Sequence, residues 1–164
     1  MYLKYSNWLY PEISSIFRLP FYSFPPLYMN NAKINYLAIL VAAVATFALG
    51  AVWYIAFQTP WMELSGVTEE QSGSGGASTF IISFITYLLA AYAMALLLQS
   101  MHVTTLQTGA LTGALIGAFI VGGNIFTNNA YELKPMGLSV LNAGFSAISF
   151  AAMGAILGGW QKKG

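Results

Sequence analysis

The chain has no cysteine, no aspartate and a single histidine, His102. Without cysteine there is no disulfide frame, no thiolate nucleophile and no iron–sulfur ligation. Only 7% of the 164 residues are charged, against roughly 25% in ordinary soluble domains. A chain this poor in charge cannot dress a water-facing surface, so its solvent is largely lipid. The net charge of +1 provides no basic stripe, which excludes nucleic acid as a partner. What the chain has instead is apolar length, with 57% hydrophobic residues and a mean hydropathy of +0.65.

The first long apolar run, Ile34 to Phe57, contains no charge and ends among Trp53, Tyr54, Phe57 and Trp61. About 20 apolar residues cross a bilayer as one helix. Three more such runs follow, so the expected fold is an all-α, integral membrane four-helix bundle with spans at about 34–57, 78–100, 105–127 and 137–160. None of the four contains Asp, Glu, Lys or Arg. The link Met101–Thr104 is so short that spans two and three are expected to be antiparallel neighbours. Residues 34–161 then form a single four-span domain, with no room for a soluble one.

The remaining segments carry weaker signals. Residues 1–33 scatter Lys4, Glu12 and Arg18 among aromatics and four prolines. They read either as an interfacial arm or as a start-site artefact, with translation beginning at Met29. Between spans one and two, QSGSGGAS reads as a flexible connector. Thr68 with Gln71 three residues on is a capping-box signal for a short surface helix. Lys33, Lys162 and Lys163 flank the termini, whereas the loop side has only Lys134. By the positive-inside rule both termini are expected to be cytoplasmic, in a multi-pass protein of the cell membrane.

In lipid, helices associate through close approach at small residues and through hydrogen bonds. Gly109, Gly113 and Gly117 form a glycine zipper on span three, and Ala143, Ala147, Ala151 and Ala155 repeat at the same spacing on span four. With Gly50, Gly144, Gly154 and Gly158 they are the expected packing residues. They serve either spans three and four within one chain or a seam between copies. Helical rise sets polar residues in the outer half, and Trp53, Tyr54, Tyr87, Asn124, Asn128, Asn142 and Ser146 are the candidates for an outward pocket. Their plainer reading is interhelical hydrogen bonds and an interfacial aromatic belt. The paired glycines Gly122-Gly123 would let span three unwind beside Asn124.

Catalysis fares worse. His102 falls in the inner connection, while Glu63, Glu69, Glu70 and Glu132 fall in the outer loops. A hydrocarbon core of about 30 Å keeps them apart, so neither acid–base pairing nor metal ligation is expected. No ionisable residue lies within a span, which disfavours a proton-coupled pump. No enzyme activity and no cofactor are expected.

INYLAILVAAVATFALGAVWY, Trp61-Met62 and GVTEE, then Thr127-Asn128 and LNAGFSAISFAAMGAILGGW, resemble a bacterial integral membrane family. That family is known only as a domain of unknown function, number seventeen sixty-one. The resemblance covers about Ile34 to Trp160. It implies a four-span membrane protein and brings no catalytic or ligand residues with it. The arm before Met29 lies outside the family pattern. The first loop is also more Gly/Ser-rich than the helical, charged segment the resemblance implies.

Two functions follow as expectations. The first is a non-enzymatic protein that packs against itself or a membrane partner. The second is a small permease or channel for an uncharged or amphipathic solute. A filled bundle with an exposed small-residue seam favours the first, and an outward polar cavity favours the second.

Overall fold

The computed structural model describes residues 34–72 and 74–161. The arm over residues 1–33, with its start-site reading, lies outside the described residues. Four helices are long and apolar enough to cross a membrane: Tyr36–Ala56, Gly76–Ser100, Leu106–Tyr131 and Met136–Gly159. No strand occurs among the described residues.

Local chemistry explains most of the helix ends. Helix α1 (Tyr36–Ala56) is capped by Asn35, whose side chain accepts from the Ala38 N–H at 3.2 Å. It stops at Ala56 because Pro60, four residues on, has no N–H to give the Ala56 carbonyl. The chain bends at Phe57 and continues as α2 (Gln58–Ser65), where Pro60 falls in the first turn and costs nothing. Gly66, at φ 73°, terminates α2 in the left-handed conformation that glycine adopts freely.

The capping-box geometry is present at α3 (Glu69–Ser72). The Thr68 N–H donates to Gln71 Oε1 at 3.0 Å, and the Gln71 N–H donates to Thr68 Oγ1 at 3.3 Å. Part of the connector that reads as flexible is helical, since α4 (Gly76–Ser100) takes up its last residues. The helix α2 carries no comparable prior expectation.

The third span is not one uniform helix. It runs as α5 (Leu106–Leu115), a π-helical segment (Ile116–Val121) and α6 (Gly122–Tyr131). Thr105 caps it by accepting from the Thr108 N–H at 3.2 Å. Within the π segment the Gly122 N–H bonds to the Gly117 carbonyl, five residues back. The fourth span, α7 (Met136–Gly159), begins after Pro135, whose φ of −58° suits a helix entry.

The helix α7 is the centre of the bundle. It contacts α1, α4 and the whole third span, and it is the most buried of the four. Spans two and three part after their short connection, however, and touch only near the turn. The reason is the glycine face of the third span, which is drawn to α7. A Cβ on Gly109 would meet the Gly154 carbonyl, and one on Gly154 would meet the Gly109 carbonyl. A Cβ on Gly113 would strike the Phe150 carbonyl, one on Gly117 the Ser146 carbonyl, and one on Gly158 the Thr105 carbonyl oxygen at 2.6 Å. These backbones touch, as small residues permit in lipid. Half-buried Ala151 also lies on this contact, its Cα 3.3 Å from where a Gly113 Cβ would stand.

The π segment keeps that face in register. The buried glycines are Gly109, Gly113, Gly117 and Gly122, spaced four, four and then five. An α-helix would bring Val121 to the fourth position. One extra residue in the π turn rotates the chain by about 100° and brings Gly122 there instead. A Cβ on Gly122 would be 3.1 Å from Ala143 Cβ.

At the terminal end, where α1 begins and α7 stops, Asn35 Nδ2 donates to the Trp160 carbonyl at 3.0 Å, and Gln161 Nε2 donates to the Val103 carbonyl. The core lies toward this terminal end: Ala38, Ile39, Ala42, Ala43, Ala91, Met94, Leu98, Met153 and Leu157. At the opposite, loop end, α2 leans on the start of α7, with Leu64 Cδ2 3.0 Å from where a Gly137 Cβ would stand.

Candidate functional site

Toward the loop end the bundle is not filled. A cleft of about 800 Å³ lies between α1 and α4. One wall is Phe47, Gly50, Ala51, Tyr54 and Ile55; the other is Thr79, Phe80, Ser83 and Tyr87. Gln58, Trp61 and Met62 of α2 form its outer end, with Ser72 nearby, and Asn142 of α7 reaches it from behind. Among the described residues no charged side chain lines it. At its rim Ile55 and Phe80 are exposed on the bundle surface, at 74% and 65%. Access is thus from the side of the bundle, between two spans.

The sequence places the wall residues for simple reasons. Phe47, Gly50, Ala51, Tyr54 and Ile55 recur at helical spacing on one side of α1, as Thr79, Phe80, Ser83 and Tyr87 do on α4. Bending at Phe57 folds Trp61 back over Tyr54, with ring centroids 6.1 Å apart and nearly perpendicular. Phe47 meets Phe80 and Phe84 edge-on, at 6.3 and 5.9 Å. Gly50 has no side chain to spare. A Cβ there would lie 3.3 Å from Phe145 Cζ and 3.8 Å from the Tyr87 hydroxyl.

Of the candidate pocket residues, the structure brings Tyr54, Tyr87 and Asn142 together. The Tyr54 hydroxyl donates to Asn142 Oδ1 at 3.1 Å. Trp53 turns instead toward α7, where its ring stands 6.2 Å from Phe145 and 4.6 Å from Phe57. It also packs over Gly144, 3.6 Å from where a Cβ would be. Ser146 is buried, and its hydroxyl donates back to the Asn142 carbonyl at 3.0 Å. Half-buried Ala147 follows it on α7.

Asn124 and Asn128 are exposed on α6 and do not join the cleft. The span does not unwind at Gly122-Gly123 but continues as α-helix. Asn129 is the residue that reaches α7, donating to Ser139 Oγ at 3.0 Å. Among the described residues two buried polar side-chain atoms have no partner, Thr46 Oγ1 and Trp53 Nε1.

Gln58, Trp61, Thr79 and Phe47 also line the cleft, though nothing in their own spacing marks them as wall residues. Pro60 was the available signal, because a proline four residues after Ala56 predicts the bend that folds α2 over the cleft. His102 sits in the terminal-end turn at φ 57°, far in the chain from the loop-end glutamates. Among the described residues no three of His, Cys, Asp and Glu gather.

The polar groups of the cleft are a phenol pair, amides and hydroxyls, and its rim is apolar. Four helices of this length and apolarity fit a multi-pass membrane protein whose outer faces contact lipid. Residues 37–158 match the family described as a protein of unknown function (DUF1761), and the chain belongs to that family. No curated protein and no solved structure matches the chain.

Proposed function

We propose that the protein binds an uncharged amphipathic molecule in the cleft between α1 and α4, as the outward-facing site of a small permease of the cell membrane. The observation that carries this is the cleft itself: apolar at its lipid-side rim, polar and uncharged at its floor. Ligand sites have this composition, mostly apolar with a few convergent polar groups. A lateral opening suits a solute that arrives dissolved in the bilayer. Lys33, Lys162 and Lys163 near the termini, against Lys134 alone at the loops, support cytoplasmic termini and a loop end that faces outside.

The other expectation, a packing or assembly protein, loses its best carrier. The face of Gly109, Gly113 and Gly117 is covered by α7 of the same chain, so it offers no seam to a second copy.

Native mass spectrometry from mild detergent tests the reading. A one-to-one adduct with an uncharged amphipath is expected for the unaltered chain. Ser83→Trp fills the cleft from its α4 wall and should abolish the adduct. Ile85→Trp, on the exposed side of the same helix, should retain it. Equal adducts in both variants would place the ligand elsewhere and overturn the proposal.

A further inference from the structure

The floor of the cleft is more specific than its volume. Asn142 spends its carbonyl oxygen on the Tyr54 hydroxyl, which leaves the amide N–H2, a pure donor. No other hydrogen bond to the Asn142 side chain occurs among the described residues, and the Tyr87 hydroxyl has no partner there either. Both residues line the cleft. Two donors at a floor without charge call for a neutral acceptor on the ligand, and a carbonyl oxygen with two lone pairs meets both.

The walls add a second requirement. Phe47, Tyr54, Trp61, Phe80 and Tyr87 contribute rings from α1, α2 and α4. Rings favour a flat π-system in offset or edge-to-face contact over a flexible chain. The way out passes exposed Ile55 and Phe80, which suits an apolar tail lying in the bilayer.

Resting on the binding reading above, we infer that the ligand is a lipid-dissolved molecule with a flat, carbonyl-bearing ring as its head and an apolar tail, the chemistry of alkylated quinones and aryl ketones. The ring lies among the aromatic walls. Its carbonyl accepts from Asn142 Nδ2 and the Tyr87 hydroxyl.

Three probes in competition test this by native mass spectrometry: 2-decyl-1,4-naphthoquinone with ring and carbonyl, 2-decylnaphthalene with the ring alone, and methyl undecanoate with the carbonyl alone. The quinone adduct should exceed that of methyl undecanoate about fivefold or more, the effect of a ring contact, and that of decylnaphthalene about 25-fold, the effect of roughly two net hydrogen bonds. Tyr87→Phe removes no hydrogen bond of the folded chain, so it should keep its melting temperature. Its preference for the quinone over decylnaphthalene should fall about fivefold. Equal adducts from all three probes would overturn the ligand class and leave the binding reading standing. An unchanged preference in Tyr87→Phe would overturn the assigned floor. No adduct from any probe, with Ser83→Trp and the unaltered chain alike, would overturn the binding reading itself.

Discussion

Deleting one residue from a transmembrane helix ordinarily rotates everything beyond it by about 100° and draws it in by about 1.5 Å. In the third span the outcome should depend on where the deletion falls. The π segment Ile116–Val121 holds one residue more than the α repeat needs. Ile120 within it is 68% exposed. Removing it lets the segment wind as α-helix. Gly122 then follows Gly117 by four positions and still meets Ala143, and all of α6 keeps its facing. The expected loss is within about 1 kcal/mol, the scale of a surface change.

Leu111 is an equally exposed residue, at 62%, but it lies in α5, where no spare residue exists. Its deletion turns Leu106–Ala110 by about 100° against the rest of the span. Gly109 leaves the Gly154 carbonyl and a neighbour with a Cβ takes its place. The Gly158 contact with the Thr105 carbonyl is lost with it. Overpacking costs about 1–3 kcal/mol per site, so two sites predict about 2–6 kcal/mol. Unfolding by SDS titration in mixed micelles, followed by far-ultraviolet circular dichroism, measures both variants on one scale. A loss for the Ile120 deletion as large as that for the Leu111 deletion would refute the claim that the π turn sets the glycine register.

The same titration checks four further substitutions. Gly113→Ala drives a Cβ into the Phe150 backbone and should cost about 1–3 kcal/mol, whereas Gly123→Ala, with nothing within 4 Å, should gain about 0.5–1 kcal/mol from helix propensity. Thr46 is fully buried and its hydroxyl has no partner, so Thr46→Val should stabilise by about 1–2 kcal/mol through removal of an unsatisfied group. Leu133 holds φ 56° while 91% exposed. Since the left-handed conformation costs a non-glycine residue about 1–2 kcal/mol, Leu133→Gly should raise stability by a large part of that.

The spans were legible because apolar length is a property of the sequence itself. The residues from Tyr36 to Ala56 needed no partner to declare themselves. Height along the bundle follows from the fixed rise per residue, and Tyr54, Tyr87 and Asn142 line one cleft. Azimuth was not legible. Asn124 and Asn128 lie seven and eleven residues after Gly117, and in a continuous α-helix both would share its face. The π turn moves that face to Gly122 and Asn129 and leaves the two asparagines outside. The spacing of the glycines, four, four and five, held the information, but only a partner helix gives such spacing a meaning. The parting of spans two and three was hidden for a similar reason. A short loop constrains the ends of two helices, and the stronger contact of the third span with α7 decides the rest.

On the proposed permease reading, the two halves of the bundle separate binding from passage. Toward the terminal end Met94, Leu98 and Met153 are almost fully buried among alanines of α1 and α4. Interiors packed in this way transmit strain and open only in discrete rearrangements. The cleft is therefore blind along the membrane normal and open along its plane. A solute that enters laterally meets the Asn142 and Tyr87 donors before it meets any barrier, so it can be held without being passed. On that reading, completion of the proposed cycle requires the terminal-end core to part. The methionines there are the residues able to repack at least cost, because their unbranched thioethers adapt to irregular space. The same reading assigns the motion to the second span, since it is the least buried of the four and makes few contacts with the third.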